Sequence, residues 1–213
     1  MKNLNKQLLI FFSLLFLASN IKAQKIFSEG YIKYDVFTNE QAKPSGVYII
    51  YVKSGNIKRE LSMDNGYNNI TIYNAKTEKT FSYNIAEGNK YALELSHFEV
   101  EEKNNKFKNP TFTKNKQSIT ISGYQCIGSH VQYNNGEEAD IFYTSDILPS
   151  TEKFNTMFPG LNGVALQYQI NSKNGMIMKF VANTVSVSPL DSKIFTIPID
   201  YKIVTKDELE KLK

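Results

Sequence analysis

The chain has 213 residues, 41% of them apolar, with 25 Lys and Arg against 21 Asp and Glu. Lys2, Lys6 and Lys22 fall in the first 23 residues, which hold no acid, so the remainder carries 22 basic residues against 21 acidic ones. A balance this even excludes the clustered cationic face that nucleic acid requires, and a lone cysteine, Cys126, excludes an internal disulfide.

Residues 1–23 read as an export leader: a basic head, an apolar run from Leu8 to Ala18, then small and polar residues ending at Ala23. Cleavage is expected between Ala23 and Gln24. A membrane anchor would need about 20 apolar residues, and Ser19, Asn20 and Lys22 stop the run short of that. No cysteine stands at the cut to take a lipid. The expected product, residues 24–213, is soluble and exported to the periplasm or the medium, with no integral membrane span, and its length suits a single β-rich domain. Cys126, within Tyr124-Gln125-Cys126-Ile127-Gly128, is expected to be a small buried hydrophobe.

Beyond the leader, hydrophobicity alternates with a period of two and turn dipeptides punctuate it, so the sheet should be mostly antiparallel. Strands are expected over 30–37, 46–52, 57–63, 69–73, 80–85, 90–95, 118–122, 125–133, 138–144, 164–171 and 176–187. Ser54-Gly55, Asp64-Asn65-Gly66, Glu87-Gly88, Asn134-Asn135-Gly136 and Asn174-Gly175 supply the positive φ of tight hairpins, which makes consecutive strands neighbours. In 46–52 both faces are apolar or amphipathic, so a second layer should cover each: a sheet, a helix or an apolar ligand. Two helices are expected. Residues 150–158 place Phe154, Met157 and Phe158 at i, i+3 and i+4 before Pro159-Gly160, and Thr205-Lys206-Asp207-Glu208 spells a capping box. Between the strands expected at 90–95 and 118–122 lies 99–116, where three glutamates give way to five lysines among asparagines; a solvated loop or a lid is expected.

No catalytic constellation is legible. His97 and His130 lie in separate segments, no Gly-x-Ser-x-Gly elbow occurs and no glycine run suits a phosphate, so neither a metal nor a cofactor is expected and the protein reads as non-catalytic. Carboxylates such as Asp35, Glu60, Asp64, Asp140 and Asp146 suit solvated or turn positions. Aromatic residues are abundant instead, 13 Tyr and 14 Phe. Tyr48, Ile50, Phe81, Tyr83, Tyr91, Leu93, Phe142, Phe154, Met157 and Phe158 either fill a core or line an apolar cavity; alternation alone leaves both open.

The ordered segments Tyr51-Val52-Lys53-Ser54-Gly55-Asn56-Ile57-Lys58-Arg59, Ser122-Gly123-Tyr124-Gln125-Cys126, Tyr143-Thr144-Ser145-Asp146-Ile147, Phe158-Pro159-Gly160-Leu161 and Leu190-Asp191-Ser192-Lys193-Ile194-Phe195 resemble an exported bacterial family of unknown function, similar to the GLPGLI proteins. The likeness extends distantly to the periplasmic lipoprotein carriers LolA and LolB. Pro159-Gly160-Leu161-Asn162-Gly163 departs from the GLPGLI pattern, which continues apolar there. The resemblance implies a mainly β (α+β) fold: a strongly curved antiparallel half-barrel closed by one or two short helices around an apolar cavity, able to hold a lipid or a lipoprotein acyl chain. The alternative is an envelope interaction module with a filled core and a protein partner.

Overall fold

A computed structural model of the chain describes residues 24–39, 41–85, 90–171 and 177–212. The leader with its cut after Ala23, and the turns at Glu87-Gly88 and Asn174-Gly175, lie outside the described residues. The first half of the chain forms β1 (Lys25–Phe27), β2 (Glu29–Thr38), β3 (Gly46–Lys53), β4 (Asn56–Met63), β5 (Asn68–Tyr73), β6 (Thr80–Tyr83) and β7 (Tyr91–Leu95). After helix α1 (His97–Asn104) come β8 (Thr111–Ile121), β9 (Tyr124–Gln132), β10 (Glu138–Thr144), β11 (Ile147–Pro149), β12 (Val164–Asn171), β13 (Ile177–Ser186), β14 (Lys202–Val204) and helix α2 (Lys206–Glu210).

Hairpins dictate most of the order. At Ser54-Gly55, φ values of 50° and 81° let two residues turn the chain, so Lys53 pairs with Asn56. Repeating such turns gives an open twelve-stranded sheet in the order β14-β7-β6-β5-β4-β3-β2-β13-β12-β10-β9-β8. Two features break simple neighbour pairing. From β7 the chain crosses through α1 to begin β8 at the opposite edge, and the meander that follows returns until β13 pairs with β2. Short β14 and β1 pair parallel with β7 and β11. The fold is mainly β, a strongly curved sheet with two short helices, and the sheet is not closed.

The concave face carries the main core. Ile32, Tyr34 and Val36 of β2, Ile50 and Val52 of β3 and Ile57 of β4 point inward in register and are buried. Tyr168 stacks on Phe180 with centroids 4.8 Å apart, and Phe158 meets Tyr168 edge-on at 5.4 Å. Each such pair adds about 0.5–1.5 kcal/mol beyond the area it buries. On the convex face Ile70, Ile72, Tyr83 and Ala92 form a second cluster, covered by Ile197 and Tyr201 from the C-terminal segment. The convex side of β3 is thinner: Val47, Ile49 and Tyr51 stay half-buried, whereas inside Ile50 and Val52 are buried and only Tyr48 is half-buried, so the covering expected on both faces is fuller inside and complete on neither.

Three expectations are corrected. The helix expected over 150–158 is one 3-10 turn, Glu152–Phe154, because Asn155 leaves helical geometry (φ −95°, ψ 45°) and its side chain donates to the carbonyls of Leu161 and Gly163. Phe154 and Phe158 are buried all the same. The loop expected over 99–116 begins as α1, with a reciprocal capping box between Ser96 and Glu99, and continues through a 3-10 turn, Asn105–Phe107. The strand expected at 118–122 starts at Thr111, with its register shifting between Lys114 and Ser118. The C-terminal capping box forms as expected, Thr205 and Glu208 bonding reciprocally at the start of α2. Cys126 is fully buried, and desolvation pushes its thiol up to about 11.

Candidate ligand cleft

Arg59 begins the cleft. It lies opposite Ile50 and Thr71 in register, hence on the concave face, and is half-buried. Its Nη2 donates to the carbonyls of Lys153 (2.6 Å) and Phe154 (3.1 Å) and to Thr156 Oγ1 (3.4 Å), tying the 150s segment to β4. Half-buried Tyr48 meets the same guanidinium, and desolvation raises its phenol despite that contact. Between this segment, the β4–β7 end of the sheet and α1 runs a cleft of about 610 Å³. Tyr73, Leu95, Val100, Phe107 and Pro159 give it apolar surface.

Charges frame that surface. Lys79 pairs with Glu94 at 2.8 Å and Lys108 with Glu101 at 3.1 Å, and the Lys108 bond holds Glu101 below the ordinary carboxylate range. Lys153 Nζ stands 5.6 Å from the centroid of Tyr73. This is a size suited to a small ligand, about 300–1,000 Å³, with an apolar interior surface and a polar frame.

The ten expected cavity residues do not share one surface. Tyr48, Ile50, Phe154, Met157 and Phe158 belong to the concave core, and Tyr91 and Leu93 are half-buried on β7. Phe81 and Tyr83 pair with Ile72 and Ile70 and so face the convex side, where Tyr83 packs 4.8 Å from Tyr201. Phe142 lines a separate convex hollow of about 290 Å³ beside His130, whose Nδ1 lies 3.0 Å from Asp140 and whose Nε2 lies 3.7 Å from Glu138. Sequence reasoning missed the cleft's own residues, Arg59, Tyr73, Val100 and Phe107. The signal for half of them was Ser96-His97-Phe98-Glu99, a capping box that marks α1 as the cleft's roof. Among the described residues no group of three or more His, Cys, Asp or Glu is placed to hold a metal ion, and no helix is long and apolar enough to cross a membrane.

No family model matches the chain, and no curated protein matches it in sequence. Solved structures with a similar chain course include PNGF-II, at a TM-score of 0.49 and 16% identity over 86% of this chain and 33% of that one. An uncharacterized conserved protein of Thermus thermophilus matches at 0.47 and 8% identity, over 84% of this chain and 91% of that one. The lipoprotein LppX of Mycobacterium tuberculosis matches at 0.39 and 7%, over 76% and 89%. The chain spans about a third of the length of the PNGF-II chains it resembles, 32% and 33% in two crystal forms.

Proposed function

We propose that the protein is an exported, non-catalytic binding module that holds an amphiphilic ligand, an acyl chain of a lipid or lipoprotein with its polar head, in the cleft beneath α1. The observation that carries this reading is the cleft's mixed wall: Tyr73, Leu95, Val100 and Phe107 offer an apolar bed, and a frame of charged side chains surrounds it. The concave core itself is filled by Tyr34, Tyr48, Tyr168, Phe158 and Phe180, so the chain lies beside that core rather than inside it. The leader and the GLPGLI-like and carrier-like segments support export and the envelope setting. The test is native mass spectrometry of residues 24–213 purified without detergent, followed by organic extraction. A mass excess resolving into acyl-containing species is expected; a bare polypeptide mass with no saturable uptake of a solvatochromic lipid probe overturns the reading.

A second reading, an envelope interaction module, rests on β8. This strand of 11 residues forms one edge of the sheet, β14 forming the other, and carries Lys114 and Lys116 with no acidic residue. Such an edge repels its own copy and accepts an acidic extended segment. Site-directed crosslinking from Gln117 in cells is expected to capture a protein on this reading, and capture of lipid alone counts against it.

A further inference from the structure

We infer that the ligand head is anionic, a carboxylate or a phosphate ester seated at Arg59, an inference that rests on the cleft being a ligand site. Among the described residues the Arg59 side chain hydrogen-bonds only to neutral oxygens: two main-chain carbonyls, the Thr156 hydroxyl and the Tyr48 phenol. Among the described residues no carboxylate pairs with it. Carbonyl dipoles orient a guanidinium without neutralising it, and a cation withdrawn from water is costly until an anion joins it.

The remaining cleft charges sharpen the contrast. Glu94 and Glu101 are engaged by Lys79 and Lys108. The cleft charges without an ion pair among the described residues include Lys103, Lys153, Glu78 and Glu152, all exposed, and Arg59, which is half-buried. Water screens the exposed four far better than it screens Arg59. Nη2 is spent on the 150s segment, so of the five guanidinium donors those on Nη1 and Nε beyond the one that Tyr48 meets remain for a planar or tetrahedral oxyanion. With the head there, Tyr73 and Leu95 lead the chain toward Val100 and Phe107 under α1.

Isothermal titration of the leaderless protein at neutral pH with chain-matched probes tests this: myristate against monomyristin, and lysophosphatidate against lysophosphatidylcholine. The anionic member of at least one pair is expected to bind about ten-fold tighter, the worth of one good charge-assisted hydrogen bond, and the pair that discriminates tells carboxylate from phosphate. Arg59→Gln should erase the discrimination between the charged and uncharged member of each pair. Because that variant also loosens the 150s segment, the wild-type comparison stands without it, and Lys153→Gln, whose side chain is exposed, should keep at least part of the preference. Equal binding of charged and uncharged members overturns the anionic head while the amphiphile reading survives; binding by none of the four overturns both.

Discussion

Tyr168 is the residue at which core and polarity conflict. Its ring is stacked on Phe180 and flanked by Phe158 and Tyr34, yet its hydroxyl is buried without a hydrogen-bond partner among the described residues, and desolvation holds the phenol well above its ordinary value of 10.0. An unpaired buried hydroxyl costs about 1–3 kcal/mol, so removing it should not weaken the fold. Tyr168→Phe is expected to leave the urea midpoint unchanged or raise it; a clear drop would mean that a buried water or internal group satisfies the oxygen. Phe158→Ala makes the opposite case: the ring is 3% exposed, so its loss should lower stability by about 3–5 kcal/mol in the same assay. At this scale the sequence was half legible. Alternation says which residues of one strand share a face, but it does not say which faces of different strands coincide. That phase comes from turn lengths: the two-residue turn at Ser54-Gly55 places Arg59 beside Ile50, a relation countable from the chain, whereas no such turn links Phe81 to Tyr48.

The C-terminal segment acts as a strap over the convex face, clamped at both ends by charge. Near its start Leu190 N–H donates to Glu29 at 2.8 Å, Lys53 pairs with Glu29 at 2.9 Å, and Lys53 also donates to the Leu190 carbonyl. Toward its far end Lys90 bonds Asp200, and the Tyr201 hydroxyl donates to the Asn84 carbonyl at 3.1 Å. The Leu190 N–H, and after it Lys53, hold Glu29 below the ordinary 4.5, and the Lys90 bond holds Asp200 below 3.8. Groups with lowered folded values stabilise the clamp fully above those ordinary values and lose that contribution as pH falls through the lowered ones. The protection factors of the Ile203 and Val204 amides, their exchange measured against the unfolded chain at the same pH, should therefore be steady from neutral pH down to about the ordinary carboxylate range and fall only below it. A fall in protection already near neutral pH would point to a group other than these carboxylates. Elements held by local grammar were legible, as the capping box of α2 and the hairpins show. The 150s segment was not, because an Asn155 side chain bonding forward to Leu161 and Gly163 outweighs an i, i+3, i+4 apolar stripe. Nor was β14, whose three residues owe their strand to β7 rather than to their own pattern.

For the whole molecule, aromatic packing sets an alkaline limit. Burial raises the phenols of Tyr34, Tyr48 and Tyr168 above 10.0. Their raised folded values mean that the stability they contribute is intact below the unfolded value and is lost as pH climbs above it. Phenolate absorbance should rise in two steps, exposed rings first and buried ones only together with loss of near-ultraviolet dichroism; a single smooth titration would argue that the core is open to hydroxide. The strand order has a consequence in time. The seam at the middle of the sheet joins β2 to β13, so Val36 waits for Phe180, and the Tyr34 hydroxyl for the carbonyl of Ala165, 131 residues later. Each meander can zip from its own hairpins, but the sheet becomes one body only after almost the whole polypeptide has been made. A chain built this way folds late and slowly, on the millisecond-to-second scale of proteins dominated by distant contacts, and the export proposed above would draw on that delay, since a polypeptide must be threaded unfolded across a membrane before it takes shape.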